Sequence, residues 1–244
     1  MSEEKNGVIV DVLKHEDNSL KKVNYNVNKK ERASLYLFLK RSVDIIGSFF
    51  GLLILSPLFL VIAICIKIND GGEVFYKHKR VGQFGKPIYL YKFRSMKMKT
   101  PDLPTHLLEN PEQYITRVGK FIRKFSIDEL PQIYDILFGK MSIIGPRPAL
   151  WNQDDLIAER DKYGANDIKP GLTGWAQING RDELPIDVKA RFDGEYAQKL
   201  NAGGFAAFSM DCKCFFGTIM KVLKHDGVVE GHAQVEKEKE VVGK

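Results

Sequence analysis

The sequence predicts an α+β protein that is mainly helical and that enters a membrane through a re-entrant helix-break-helix segment. The run Ile45–Ile66 contains no charged residue and reaches the ~20 residues that are needed to cross a hydrocarbon core. Strand-like segments are short, at Glu73–Tyr76 and Ile88–Phe93, whereas helix-like apolar patterns recur through the rest of the chain. We therefore expect interfacial amphipathic helices and a small cytosolic domain that contains a short β-hairpin.

The composition indicates a folded protein with an anionic partner. A chain of 244 residues with 44% hydrophobic residues is long enough for one domain with appendages. Its formal net charge of +6 suits phosphate, a nucleic acid or an anionic membrane surface, and charge alone leaves these partners open. The three cysteines are too few for a disulfide framework, so we expect reduced thiols.

The domain organisation follows from composition along the chain. Residues 1–31 are polar and mixed in charge, which predicts a flexible N-terminal tail, and residues 230–244 predict a flexible charged C-terminal tail. Residues 32–69 hold the membrane segment, where cations flank the apolar Leu35–Leu39 as in a helix at headgroup level. Residues 70–229 form the cytosolic domain. No small-residue cleavage pattern follows the apolar run, so we expect no secretory signal.

Ser56 and Pro57 lie at the midpoint of the apolar run. A proline inside a helix removes a backbone hydrogen bond and bends the chain, and the Ser56 hydroxyl can satisfy the freed carbonyl in lipid. Lys and Arg flank both ends of the run. Because these residues prefer the cytoplasm, the pattern favours a re-entrant hairpin with both ends on one face. A kinked helix that spans the membrane is the alternative.

The predicted hairpin carries candidate phosphate-binding cations. Lys79–Lys86 is a basic turn with glycines, which also suits an ordinary hairpin connection. Lys92 and Arg94 would point to the same face of an extended segment. A solvated strand face is the alternative explanation for this pair.

Two adjacent acids, Asp128 and Glu129, lie between the basic Arg123 and the turn Pro146-Arg147-Pro148. Adjacent acids among cations suit chemistry on phosphate. The two prolines fix the backbone on either side of Arg147, which lowers the entropy cost of aiming its guanidinium.

Helix capping is a competing explanation for the acids. Ser126 and Glu129 match the S/T-x-x-E capping box at a helix start. Pro131 offers a second register, with the acids near the N-cap and the proline in the first turn. In both registers the helix dipole stabilises the carboxylates and keeps them ionised.

The segment Lys169–Arg181 concentrates Gly and Asn around one tryptophan, which predicts a shaped loop. Such loops commonly carry binding groups. The sequence contains no internal repeat, nucleotide P-loop or Rossmann glycine fingerprint. Helical patterns are expected at residues 114–125, 130–138, 151–162 and 208–223.

Several separate motifs follow one another along the chain. They are Lys40-Arg41-Ser42-Val43-Asp44, Ser56-Pro57, Tyr91-Lys92-Phe93-Arg94-Ser95-Met96, Asp128-Glu129-Leu130-Pro131-Gln132, Met141-Ser142 with Gly145-Pro146-Arg147-Pro148, and Pro170-Gly171-Leu172-Thr173-Gly174. Together they resemble the monotopic phosphoglycosyl transferases of bacterial glycoconjugate assembly, also called bacterial sugar transferases. The resemblance runs from about Lys40 to about Gly231 and is to the short members of the family.

The resemblance implies a membrane-associated enzyme that moves a phospho-sugar from a UDP-sugar to polyprenyl phosphate, such as undecaprenyl phosphate, and releases UMP. This step initiates assembly of a capsule, an exopolysaccharide, an O-antigen or a glycoprotein glycan. The resemblance also implies Mg²⁺ as cofactor and the bacterial cytoplasmic (inner) membrane as location, with the catalytic domain on its cytoplasmic face. Downstream glycosyltransferases are candidate partners, and nucleic acid is not expected. Gly174–Asp182 is similar to members that handle N-acetylated amino sugars.

The family's Asp-Glu pair corresponds to Asp128 and Glu129. The resemblance implies that Asp128 forms a covalent phospho-sugar intermediate and contacts Mg²⁺, while Glu129 is a positioning group or a proton acceptor. Direct transfer with Asp128 as general base is one alternative, and a non-enzymatic membrane adaptor is another. The residues assigned to substrate are Lys92, Arg94, Arg123, Pro146, Arg147, Pro148, Gln177 and Arg181.

Overall fold

A computed structural model describes residues 30–101, 110–180 and 183–224 of the chain. The predicted C-terminal tail lies outside these residues, as does Arg181. The predicted N-terminal tail also lies outside them, except that the first helix already begins at Lys30, inside the range assigned to the tail.

Helix α1, Lys30–Asp70, contains the whole apolar run and is 41 residues long, or about 60 Å at 1.5 Å per residue. The helix continues through Pro57, so the predicted break takes the form of a proline inside one helix. Pro57 has no N–H for the carbonyl of Leu53, and the Ser56 hydroxyl donates to that oxygen at 2.7 Å. The sequence-based expectation for Ser56 is therefore confirmed. Within the described ranges, α1 is the helix that is long and apolar enough to cross a membrane.

A β-hairpin follows, with β1 at Phe75–Val81 and β2 at Pro87–Phe93. The strands are antiparallel, and the register places Tyr76 opposite Lys92 and His78 opposite Leu90. The hairpin is confirmed, but β1 extends through residues 79–81, which the sequence assigned to the turn. These residues are charged or precede a glycine, so they resemble a turn in sequence, yet they pair with β2 across the hairpin.

The remaining elements confirm a mainly helical α+β fold. The four predicted helices appear. Four elements lie in segments where the sequence predicted neither helix nor strand: the short parallel strands β3 (Ser142–Ile144) and β4 (Gly171–Thr173) and the helices α5 (Trp175–Ile178) and α6 (Ile186–Ala202). Of these, β4 and α5 lie within the predicted shaped loop. In β3 and β4, Ser142 pairs with Gly171 and Ile144 with Thr173. The elements are α2 Arg117–Lys124, α3 Gln132–Leu137, β3 Ser142–Ile144, α4 Asp154–Asp161, β4 Gly171–Thr173, α5 Trp175–Ile178, α6 Ile186–Ala202 and α7 Gly204–Lys224.

Both halves of α1 pack against the same domain. In the N-terminal half, the Arg41 guanidinium donates to the carbonyls of Ile136 and Leu137 at 2.6 and 2.7 Å, at the C-terminal end of α3. In the C-terminal half, Ile62 and Ile66 are buried in a cluster with β2 and α2. Helix α1 is therefore attached to the elements on either side of the two adjacent acids.

A carboxylate of α7 joins α1 to the interior of the domain. Asp211 Oδ2 accepts hydrogen bonds from the Tyr36 hydroxyl and the Lys40 ammonium, both at 2.7 Å. The Tyr196 hydroxyl of α6 lies 2.7 Å from Asp211 Oδ1 and 3.1 Å from the carbonyl of Ile144, at the end of β3. These contacts fix the position of the turn that follows β3.

Candidate active site

The two acids lie in a single 3-10 turn, Ile127–Glu129, between α2 and α3. The capping-box prediction is wrong, because Ser126 has a φ of +53° and its side chain makes no capping hydrogen bond. The second register is nearer the structure, with Pro131 itself in the N-cap position of α3 and the acids in the turn before it. The acidic side chains are therefore available for contacts outside the helix.

Neighbouring elements hold this turn in place. The buried Asp135 of α3 accepts a hydrogen bond from the backbone N–H of Tyr91 at 2.8 Å, which ties α3 to β2. Helix α2 starts at Thr116, whose hydroxyl accepts from Gly119 N at 2.8 Å. A Cβ at Gly119 would lie 1.8 Å from the Ser95 carbonyl oxygen, so only glycine lets α2 approach the end of β2 so closely.

Glu129 is held by two cations. Lys92 Nζ donates to its Oε1 at 2.7 Å, and the Arg147 guanidinium donates to Oε2 at 3.0 Å and to Oε1 at 2.7 Å. Burial alone would raise the pKa of Glu129, but Arg147 and Lys92 together hold that pKa well below its ordinary value. Glu129 therefore stays ionised, and its low pKa favours a positioning role over that of a proton acceptor.

Asp128 has a different environment. Among the residues that the structure describes, none donates a hydrogen bond to its half-buried carboxylate. Burial raises the pKa of Asp128, while the charges of Lys92, Arg123 and Arg147 act in the opposite direction and Glu129 adds to the rise. The helix dipole was expected to keep both acids ionised, but burial moves the pKa of Asp128 the other way. A more basic carboxylate without hydrogen-bond donors is the better nucleophile of the two.

The Pro-Arg-Pro turn is fixed by its backbone neighbours. The Pro146 carbonyl accepts from Gly171 N, and the Pro148 carbonyl accepts from the Arg80 guanidinium, both at 2.9 Å. A Cβ at Gly174 would lie 2.1 Å from the Gly145 carbonyl oxygen, so β4 can approach the turn only with glycine at that position. The predicted rigidity around Arg147 thus comes from β4 and β1 as well as from the prolines.

The site also contains His78, which sequence reasoning missed, and Arg80, which it placed in the basic turn Lys79–Lys86. His78 and Arg80 share the face of β1 that lies alongside Lys92, as their alternation with Tyr76 and the hairpin register could have indicated. Burial, with Arg80 and then Lys92, lowers the pKa of His78 to about 3, so this imidazole is neutral at physiological pH. It adds no positive charge to the cluster.

The structure separates one predicted substrate residue from the others. Arg94 lies just beyond the end of β2, where its guanidinium contacts the Met98 sulfur and donates to Glu73 Oε2 at 3.1 Å. It does not share the Glu129 contacts of Lys92. Gln177, in contrast, lines a cavity together with Arg147 and Pro148.

Comparison with known proteins identifies the family. The family model described as bacterial sugar transferase matches residues 35–225, which is most of the chain. The chain belongs to the bacterial sugar transferase family. The matched range contains both acids, the Pro-Arg-Pro turn and the whole apolar run.

Individual sugar transferases are similar over the same region. The chain is 38% identical over 192 residues to the uncharacterized sugar transferase EpsL of Bacillus subtilis, covering 79% of this chain and 91% of EpsL. It is 37% identical over 206 residues to the undecaprenyl-phosphate galactose phosphotransferase of Salmonella typhimurium, covering 78% of this chain and 41% of that protein. It is 36% identical over 196 residues to the UDP-glucose:undecaprenyl-phosphate glucose-1-phosphate transferase of Escherichia coli, covering 75% and 40%. The matches thus span about two fifths of these two longer transferases.

The ligands that the described residues offer to Mg²⁺ can be compared with those that the ion commonly takes. No cluster of three or more His, Cys, Asp or Glu side chains that could hold a metal ion occurs within residues 30–101, 110–180 and 183–224. Asp128 is one carboxylate without a hydrogen-bond donor, and Mg²⁺ commonly binds through one or two carboxylates together with substrate phosphates and water. The donor set fits an ion that arrives with a diphosphate, not an ion held by the protein alone.

Proposed function

We propose that this chain is a membrane-associated phosphoglycosyl transferase that moves a phospho-sugar from a UDP-sugar to polyprenyl phosphate and releases UMP. The single observation that carries the proposal is the contrast between the two adjacent acids. Glu129 is held by Lys92 and Arg147, whereas Asp128 has no hydrogen-bond donor among the described residues and a raised pKa. The names of the Salmonella and E. coli relatives support a sugar phosphate as the transferred group and undecaprenyl phosphate as the acceptor.

The first half-reaction uses Asp128 as the nucleophile. One carboxylate oxygen forms a bond to the phosphorus that carries the sugar, and the bridging P–O bond of the diphosphate breaks, so UMP leaves with the bonding electrons. Lys92, Arg123 and Arg147 surround this position and stabilise the negative charge that develops on the phosphoryl oxygens. The product of this step is an acyl phosphate that joins Asp128 to the sugar.

In the second half-reaction, a phosphate oxygen of the polyprenyl phosphate attacks the same phosphorus. The Asp128–phosphorus bond breaks, and the carboxylate is regenerated. A phosphate monoester has its second pKa near 6 and is already largely a dianion at neutral pH. The acceptor therefore needs no general base, which favours covalent catalysis by Asp128 over direct transfer with Asp128 as base.

Mg²⁺ is part of the proposal, with Asp128 as its protein contact. When bound, the ion neutralises charge on the diphosphate. Asp128 is more available for this contact than Glu129, whose carboxylate already accepts three hydrogen bonds from Lys92 and Arg147.

We also propose that α1 inserts into the membrane without spanning it, so that both of its ends stay on the same side. A Cβ at Gly51 would lie 3.7 Å from Ile133 of the domain, and Phe59 packs against the domain again. Residues 52–58 separate these contacts, far fewer than the ~20 that a spanning helix places in hydrocarbon. The basic residues on both sides of the apolar run support the cytoplasmic face of the inner membrane as the location.

The proposed product starts the assembly of a surface polysaccharide or glycan, with downstream glycosyltransferases as the enzymes that extend it. The proposed sugar is an N-acetylated amino sugar, on the similarity of Gly174–Asp182 to such family members. The names of the relatives mention galactose and glucose, so these sugars belong in any test.

A panel of UDP-sugars tests the proposal. Protein in nanodiscs is incubated with polyprenyl phosphate, Mg²⁺ and UDP-linked glucose, galactose or N-acetylated amino sugars, and UMP release is measured. We expect release with at least one donor, dependent on the lipid, and no release by Asp128→Asn. Asp154→Asn, at an exposed acid of α4, is the matched control and should behave as wild type.

The covalent step has its own readout. Without polyprenyl phosphate, mass spectrometry should find a phospho-sugar adduct on the peptide that contains Asp128, with release of about one UMP per protein. Turnover by Asp128→Asn near the wild-type rate would exclude the covalent mechanism. Absence of UMP release with every donor would exclude the proposed function itself.

A further inference from the structure

A partly open cavity of about 230 Å³ adjoins the Pro-Arg-Pro turn. Arg147 lines this cavity and also pairs with Glu129, so the cavity lies next to the proposed site of phosphorus chemistry. The volume is below the roughly 300–1,000 Å³ of pockets that enclose a whole drug-sized ligand. It suits one part of a nucleotide-sugar donor.

The charge of the cavity indicates which part. The lining contains four cations, Arg80, Arg147, Arg160 and Lys189, and one acid, Asp193. Asp193 Oδ2 accepts from the Arg160 guanidinium at 2.6 and 2.8 Å, and Arg147 is paired with Glu129 outside the lining. The cavity is therefore positive overall, which favours an anion. The sugar ring of the donor has no negative charge, whereas the departing nucleoside monophosphate is a dianion.

Two side-chain amides in the cavity wall add a hydrogen-bonding pattern. Gln177 Nε2 donates to the Leu172 carbonyl at 3.0 Å, and its buried Oε1 has no hydrogen-bond partner within the described part of the chain. Gln153 Oε1 accepts from Leu150 N at 2.9 Å, which leaves its NH₂ group as the end that can meet a ligand. The wall thus offers one acceptor and one donor. A buried acceptor without a partner costs about 1–3 kcal/mol, which a ligand N–H would recover.

We propose that this cavity binds the uridine monophosphate part of the donor and reads its base. Gln177 Oε1 accepts the uracil N3–H, Gln153 Nε2 donates to the adjacent uracil carbonyl, and Arg80 and Lys189 bind the phosphate that leaves. Cytosine presents an acceptor at N3 and would meet the Gln177 oxygen without a proton between them. Because Gln177 Nε2 is tied to Leu172, the amide cannot rotate without losing that bond.

This assignment rests on the proposed function, since it takes the reaction to release UMP. In-line displacement by Asp128 requires the leaving group to lie on the far side of the phosphorus. Arg147 contacts Glu129 and also lines the cavity, so it lies where the two phosphates of the donor would meet.

Calorimetric titration of the full chain in nanodiscs with UMP, CMP and ribose 5-phosphate tests the inference. We expect UMP to bind at least about 10-fold more tightly than CMP, the equivalent of one lost hydrogen bond. Gln153→Glu keeps the acceptor and removes the donor, and should weaken UMP about 10-fold with a smaller effect on ribose 5-phosphate. Lys189→Met should weaken both ligands alike. The matched controls are the exposed Gln198→Glu and Lys199→Met of α6, which should bind as wild type.

Equal affinity of the wild type for UMP and CMP would overturn the inference, as would unchanged UMP binding by Gln153→Glu. If that variant does not fold, as judged by its melting temperature, the UMP-to-CMP ratio of the wild type decides. Unselective binding by a protein that still releases UMP from a UDP-sugar would refute the pocket and leave the proposed function standing. Selective UMP binding without turnover on any donor would support the pocket and refute the proposed function.

Discussion

Removing either partner of the Arg147–Glu129 ion pair should lower both stability and turnover. The guanidinium donates to both carboxylate oxygens, and the two side chains are 25% and 13% exposed. Breaking a fully buried pair costs about 3–5 kcal/mol, and an exposed pair contributes about 0–1 kcal/mol. At this exposure we expect about 2 kcal/mol for Arg147→Met and for Glu129→Gln. At about 2–4 °C per kcal/mol for a chain of this length, each variant should melt roughly 4–8 °C below wild type.

The double variant isolates the pair. Once Glu129 is replaced, Arg147 no longer forms the ion pair, so its own replacement should cost little further stability. The double variant Arg147→Met with Glu129→Gln should therefore melt near the Glu129→Gln single variant. Lys92 loses its partner in both of these variants, so its contribution cancels in the double-mutant cycle. The exposed Lys162–Glu159 pair of neighbouring helical turns is the control, and its cycle should show no measurable coupling. Additive losses in the Arg147–Glu129 cycle would refute the idea that these residues act as a unit.

The other predictions concern charge and the membrane helix. Asp128→Asn should raise the melting temperature at neutral pH, because burial disfavours the charge that it removes; a clear fall, absent in Asp154→Asn, would support a capping role instead. The acid limb of the wild-type kcat/KM profile should lie above pH 3.8, the ordinary aspartate pKa, since the attacking carboxylate must be ionised and its pKa is raised; a limb at or below that pH contradicts the assignment. The wild type should melt above Glu129→Gln by its full margin at every pH above 4.5, the ordinary pKa of glutamate. That margin should shrink only as pH falls through the lowered pKa of Glu129, as melting curves against pH would show. Ser56→Ala should cost about 1–2 kcal/mol in nanodiscs, because a carbonyl left unpaired by the proline loses its donor, whereas Ser42→Ala should be nearly neutral; equal melting temperatures would count against this role.

Features with a local cause could be predicted from the sequence. Pro57 frees a particular carbonyl, and Ser56 is the nearest hydroxyl, so their hydrogen bond followed from spacing alone. The uncharged run and the alternating segments likewise predicted α1 and the hairpin. Strands β3 and β4 escaped prediction because each has three residues and pairs in parallel across a long connection, where no local periodicity develops.

The partners inside the site could not be predicted, because they depend on tertiary contacts. Glu129 takes its cations from β2, 37 residues before it, and from a turn 18 residues after it. The capping box was locally plausible, and these tertiary ion pairs overrode it. Arg94 shows the same limit, since the chain leaves β2 at Phe93 and the alternation that paired it with Lys92 no longer holds.

The carboxylate of Asp211 has a consequence for how this enzyme can be produced. Tyr36 and Lys40, which donate to it at 2.7 Å, both belong to the apolar helix α1. A truncation that begins after residue 70 would remove the Tyr36 and Lys40 donors of Asp211 and leave Tyr196 as its donor, and it would uncover the apolar surface under Ile62 and Ile66. Helix α1 is thus a structural part of the domain that holds the two acids, and a shortened version without it should neither fold correctly nor turn over substrate.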